Sequence, residues 1–293
     1  DVNKNNYKKN ILKISIPLNI LLLFVTAFLL INRSANKEII LKHDNPIWKE
    51  YIQKNENPTL LVYGDAFFLY EREEKRDRGF FVRDPLINSR EDLKQALKKN
   101  PYLIKRYVEL DFTYLRTSSI WGTVELLPML LNAPNQIYLK LASETVLNDL
   151  NRNNTIFIGS FVTLHNLKDI LFPTLKCEYK STPRRLEFYD IQDGGKTVQK
   201  TIMPDETNQI DYSLIIKCQG PGNNIILLVM GFNEVSIIEG IKILLEPDLP
   251  AQLIADQNIN PNQPFFFKMI LKVKGARTSN IALDKEIVYF QKL

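Results

Sequence analysis

Four apolar runs in this chain close on a small or polar turn that leads into a helix or loop: YGDAFF (63–68), LASETV (141–146), IGSFVT (158–163) and MGFNEV (230–235). This repeated grammar is the strongest constraint on the fold. A short apolar run bounded by such turns reads as a strand buried on both faces, and strands that alternate with helical patterns predict a parallel sheet. Runs 59–63, 136–141, 155–158 and 225–230 supply the strands, and 79–82 and 107–114 are further candidates. Helices are expected between them. Ser89, with Asp92 three residues on, opens one that runs to Lys99 and stops near Pro101. Thr117, Ser118 and Ser119 cap a second through Glu125 and Leu131, disturbed by Pro128 and ended by Pro134. Short helices are predicted over 143–150 and over 163–171, the latter stopped by Pro173. Asn233 caps one from Glu234 toward Leu245, in which Val235, Ile238, Ile241 and Leu245 recur at helical spacing.

Antiparallel signals accompany this pattern. LEFYDI (186–191) and KTVQKTI (196–202) flank Asp193-Gly194-Gly195, a hairpin turn. Segment 212–218 is a strand followed by the turn Gly220-Pro221-Gly222, and 265–275 with 280–290 reads as a closing hairpin. The predicted fold is therefore α/β: a mixed, largely parallel sheet flanked by helices, with antiparallel hairpin additions, preceded by one N-terminal transmembrane helix.

That last element rests on NILKISIPLNILLLFVTAFLLI (10–31), where 14–31 carries no charge and is long enough to cross a bilayer's hydrocarbon as a helix. Lys4, Lys8, Lys9 and Lys13 precede or open the run. Arg33, Lys37 and Lys42 follow it, offset by Glu38 and Asp44. The charge bias favours a cytoplasmic N-terminus and a large extracytoplasmic domain. Pro17 and Asn19 weaken the helix without excluding a span. A cleaved signal peptide is the rival, disfavoured by the length of the run and by Asn32 and Arg33 where small residues would be needed. The chain opens on Asp1 and a polar stretch, as a segment or processed form would. The organisation expected is a polar flank (1–10), a signal-anchor span (11–31), a connector (32–57) and a globular domain (58–293) divisible into lobes 58–135 and 136–293. In the connector, Ile47, Trp48, Tyr51 and Ile52 line one helical face, and Trp48 is expected to pack on the domain.

Composition narrows the function classes. Apolar content of 45% and charge of 24% are those of an ordinary globular chain. The net charge of +5 comes from basic residues mixed with acids, as in EREEKRDRGFFVRD (71–84), so nucleic-acid binding is not expected. Cys177 and Cys218 form no CxxC pair. With only His43 and His165 besides, a zinc site lacks ligands, and no metal or cofactor is expected. The two cysteines are either one disulfide or two separate core residues. Neither GxGxxG, GxxxxGK[ST] nor GxSxG occurs.

In open α/β sheets the carboxyl ends of the strands form the ligand crevice. The candidate ligand-binding residues there are Asp65, Ser143, Glu144, Ser160, Thr163, Asn233 and Glu234, each equally able to serve as an ordinary cap or turn residue. His165, in the helix expected after Gly159, is a candidate base or a packed histidine. Three functions fit. The leading one is a membrane-anchored, sensor-like domain of a bacterial envelope. Its partners are the lipid bilayer, through 11–31, and a small-molecule ligand or protein held over the strand ends. The second is a membrane-tethered hydrolase or transferase on a nucleotide- or sugar-like substrate, using Asp65, Glu144 or Glu234 as acid or base and marked by a raised carboxyl pKa. The third is a structural subunit of a cell-envelope complex.

Overall fold

The computed structural model describes residues 45–293 apart from 55, 73–78, 85, 88, 111–113, 166, 194–195, 250–252, 254–262 and 276–280. The run read as a membrane span lies outside the described residues. Among those described, no helix is long and apolar enough to cross a membrane. The chain divides into two units, Asp1–His43 and Asp44–Leu293, and all described residues belong to the second.

In chain order, a one-turn helix α1 (Lys49–Ile52) leads to β1 (Thr59–Tyr63). An insertion follows, made of β2 (Asp65–Ala66), β3 (Leu69–Arg72), β4 (Gly79–Val82), α2 (Arg90–Lys99), α3 (Leu103–Arg106), β5 (Tyr107–Glu109) and β6 (Tyr114–Leu115). The chain then alternates through α4 (Thr117–Leu130), β7 (Ile137–Leu141), α5 (Leu147–Arg152), β8 (Asn154–Ser160) and α6 (Leu167–Leu175). A small antiparallel sheet comes next, from β9 (Cys177–Ser181), β10 (Arg184–Asp193) and β11 (Lys196–Ile202). The chain closes with β12 (Ile210–Gln219), β13 (Ile225–Gly231), α7 (Glu234–Leu244), β14 (Phe267–Gly275) and β15 (Ala282–Lys292).

Seven strands form the main sheet in the order β15-β14-β12-β13-β8-β1-β7. The protein is thus mixed α/β, a large mixed sheet flanked by helices. Strands β1, β8 and β13 are buried along their whole length, as the apolar runs at their centres require. β1 lies between β7 and β8 in parallel register, Thr59 facing both Ile137 and Asn154. β13 extends the parallel set alongside β8. The pairings β13·β12, β12·β14 and β14·β15 are antiparallel. The sheet is therefore evenly mixed, where the sequence predicted a largely parallel one. The turn after Gln219 is too short for a crossover, so β13 must return beside β12 as a hairpin, and the tail adds to the same edge.

Side-chain alternation splits the core into two faces. On one, Leu60, Val62, Phe157, Ile216 and Leu228 meet Leu167, Leu171 and Leu175 of α6 and Leu186, Phe188 and Ile202 of the small sheet. On the other, Leu61, Ile156, Ile158 and Val229 are buried where α4 and α7 cross the sheet. Each such side chain contributes about 1.5–3 kcal/mol when fully buried. Segment 45–52 packs here too. Trp48 donates its indole N–H to the Leu244 carbonyl at 2.8 Å, and Tyr51 its hydroxyl to the Thr155 carbonyl at 3.2 Å. Trp48 does pack on the domain.

Several local expectations need correction. Run 107–114 is not one strand: β5 pairs with β3, while β6 pairs with β2 in a separate ribbon. Helix α4 is capped by Arg116 without a side-chain hydrogen bond, and Thr117, Ser118 and Ser119 form its first turn. Segment 143–150 splits into a 3-10 turn (Ala142–Glu144) and α5. Pro173 sits inside α6 near its end. The two cysteines are not joined in a disulfide, Cys177 being buried and Cys218 half-buried, and burial pushes the Cys218 thiol up to about 11. Ser89 caps α2 as predicted, accepting from the Asp92 N–H at 3.0 Å.

Candidate functional site

The connections from β1 and β8 leave the sheet on opposite faces, through α4 and α6 respectively, and β13 again connects through α7 beside α4. The carboxyl ends of β8 and its two neighbours are therefore topological switch points, where crossovers diverge and a crevice forms. Four of the seven predicted site residues lie around the first of these, Asp65, Ser160 and Thr163 at the ends of β1 and β8 and Ser143 after β7.

They form a closed knot. The Thr163 hydroxyl donates to the Ser160 carbonyl at 2.9 Å and accepts from the Ser160 N–H at 3.0 Å, which closes the 3-10 turn Phe161–Thr163. An added Cβ on Gly64 would collide with that hydroxyl, and one on Gly159 would lie 2.8 Å from the Gly64 Cα. Glycine at both positions is what lets the two strand ends and the turn close together. Asp65 is 2% exposed and accepts from the Ser143 N–H at 2.9 Å. His165 Nε2 lies 2.7 Å from the Asp65 carbonyl oxygen and 3.1 Å from its carboxylate. With two acceptors facing it, Nε2 carries the proton. Nδ1 is then left buried without a hydrogen-bond partner among the described residues. His165 is not in the helix predicted for it: it precedes α6, in the left-handed region at φ 48°. Burial raises the Asp65 carboxyl, but the His165 ring and the Ser143 N–H outweigh it and hold the group below its ordinary value. Ser160 and Thr163 are thus spent on one another and Asp65 on Ser143 and His165, while Ser143 and Glu144 have exposed side chains.

Asn233 and Glu234 stand apart, at the end of β13. The Asn233 side chain makes no cap bond to α7; its Oδ1 accepts from Arg184 Nη1 at 3.2 Å, and its N–H donates to Asp211 at 3.0 Å. Glu234 accepts from the Thr117 hydroxyl at 3.4 Å. Burial pushes the Asp211 carboxyl up, against N–H groups and Arg184 that favour the charged form.

Between these groups, over β8 and β13, lies a recess of about 150 Å3 lined by Ser160, Gly231, Phe232, Tyr179 and three arginines, Arg83, Arg116 and Arg184. Each arginine comes from a different part of the chain: Arg83 follows β4 in the insertion, Arg116 precedes α4 and Arg184 opens β10. Arg83 donates to the Ile87 carbonyl at 2.8 Å and Arg184 to Glu206 at 2.6 Å. The Arg116 side chain makes no hydrogen bond or ion pair among the described residues, while its carbonyl accepts from the Ser119 N–H at 3.0 Å. Burial lowers its guanidinium, Arg184 adding to the effect and Glu234 opposing it. Arg83 is lowered likewise by burial, with Arg116 as the nearby like charge. Burial raises the Tyr179 phenol while all three arginines pull it down, which puts that hydroxyl in their midst.

Comparison with protein-family models, curated proteins and solved structures returned no match.

What the recess can do follows from its donors. A guanidinium stays charged in any folded environment and offers five N–H donors in a planar fork suited to carboxylate or phosphate oxygens. Removing it from water without an acceptor is costly. Among the described residues, no three His, Cys, Asp or Glu side chains cluster to hold a metal. Sequence reasoning missed Arg83, Arg116, Arg184 and Tyr179 because none belongs to a motif. The one available signal is that the three arginines sit at the borders of elements, where loops converge on strand ends.

Proposed function

We propose that this protein recognises an anionic ligand over the carboxyl ends of β8 and β13, from a domain tethered to a membrane by residues 11–31. The observation that carries the reading is Arg116: a half-buried guanidinium beside two other arginines, with no hydrogen bond or ion pair to its side chain among the described residues. An oxyanion bridging Arg116 to Arg83 or Arg184 replaces the part of its hydration lost to half-burial and relieves the mutual repulsion. The reading is one of recognition. A hydrolase or transferase would draw on a raised carboxyl facing substrate. Asp65 is instead lowered, and Asp211 is raised but occupied by the N–H groups of Tyr212 and Asn233.

The test is calorimetric titration of the full chain, held in mild detergent, with inorganic pyrophosphate. Wild type is expected to bind, and Arg116→Gln to weaken binding by at least tenfold, about 1.4 kcal/mol. A titration with no binding heat and no thermal stabilisation, or one indifferent to Arg116→Gln, removes the basis of the proposal.

A further inference from the structure

The arginine recess does not end at its own walls. Phe161, Val162, Tyr179 and Ser181 also line a second, larger cavity of about 710 Å3, which continues toward α6 and the loop carrying Leu86. Tyr179 and Phe161 are stacked, their centroids 5.6 Å apart at 18°, and Phe161 meets Phe232 edge-on at 4.8 Å. The two spaces thus share one aromatic wall.

The larger space differs in chemistry. Leu86, Phe172 and Pro173 give it apolar surface beside the charged Lys168, Asp169, Lys176 and Glu178, and its volume falls within the range of small-molecule sites, about 300–1,000 Å3. An inorganic anion fits the recess alone and leaves this cavity unfilled. His165 also lines the cavity, and its Nδ1 is the buried ring nitrogen without a partner.

We infer that the ligand is an organic anion of two parts: a phosphate- or carboxylate-like head among Arg83, Arg116 and Arg184, and a planar apolar body in the cavity between Phe161, Phe172 and Tyr179. The inference rests on the anion-recognition reading and adds the class of molecule attached to the charge. Stacking on the shared aromatic wall and burial of the body supply affinity that the head alone lacks. The left-handed backbone at His165 fits a residue held in place for contact, since strained positions gather at binding sites.

The test uses two probes on the full chain, inorganic phosphate and 1-naphthyl phosphate. The expected result is that 1-naphthyl phosphate binds at least tenfold tighter. Arg116→Gln weakens both, and Leu86→Trp, which crowds the larger cavity at a position 78% exposed, costs the naphthyl compound at least fivefold more than phosphate. Equal affinity for the two probes, both dependent on Arg116, overturns the two-part ligand and leaves anion recognition standing. Tighter naphthyl binding that ignores Leu86→Trp also overturns it, because the body then lies elsewhere. Failure of both probes to bind sinks the anion reading itself.

Discussion

Asp65 shows how one side chain can look like a site and act as a fastener. It follows a buried strand, a position used by nucleophilic aspartates, yet both its carboxylate and its carbonyl are taken up by Ser143 and His165. Its folded-state pKa is depressed, so it adds stability that is present above the unfolded value near 3.8 and lost as pH falls through the folded value. Asp65→Asn is therefore expected to cost about 1–3 kcal/mol near neutrality, and the deficit is expected to shrink below pH 3.8. Urea unfolding across that range checks it; a deficit constant with pH contradicts the assignment. Arg116 is the opposite case. Nothing in the sequence around it, YLRTSS (114–119), marks it, because its meaning lies in two arginines and a tyrosine from distant segments that share its recess.

At the level of elements, much was legible. Apolar runs gave β1, the centre of β8 and β13, one turn gave the β10·β11 hairpin, and two strand-like tail segments gave the β14·β15 hairpin. Legibility failed where side chains override local pattern. The helix expected from Thr163 begins instead at Leu167, because the Thr163 hydroxyl closes a tight turn and His165 turns left-handed. β9 was not foreseen: CEYKS has no clean alternation, and its strand character comes from pairing with β10. Asn233 sits at the expected helix start, but Arg184 claims its side chain. The joint between α1 and β12 was equally hidden. Lys217, fully buried, donates to the Pro46 carbonyl at 2.7 Å and to Glu50 at 2.5 Å. Burial lowers its ammonium and Glu50 opposes that. Glu50→Ala leaves the charge uncompensated and is expected to cost about 3–5 kcal/mol, most of it recovered in Glu50→Ala/Lys217→Met. Equal urea midpoints for the single and double variants would show that the pair does not hold α1.

For the whole molecule, two expectations from the sequence meet different fates. The α/β architecture is present, and its switch points are where the strand-end argument placed a ligand crevice. What the topology supplies there is an arginine recess beside a closed polar knot, and the seven anticipated residues contribute to it mainly through Ser160. The tether remains a proposal resting on residues 14–31. It predicts that the full chain stays with the membrane pellet after alkaline carbonate extraction and is released only by detergent. Recovery in the carbonate supernatant would contradict an integral span.

The central claim is that the recess over β8 and β13 holds an oxyanion against Arg116. Crystals of the full chain soaked in tungstate test it most directly, since a heavy oxyanion reports its own position by anomalous scattering. The account predicts an anomalous peak within hydrogen-bond reach of the Arg116 guanidinium, abolished in Arg116→Gln. A recess without a peak, and Arg116 instead closed onto the Glu234 carboxylate, would contradict it.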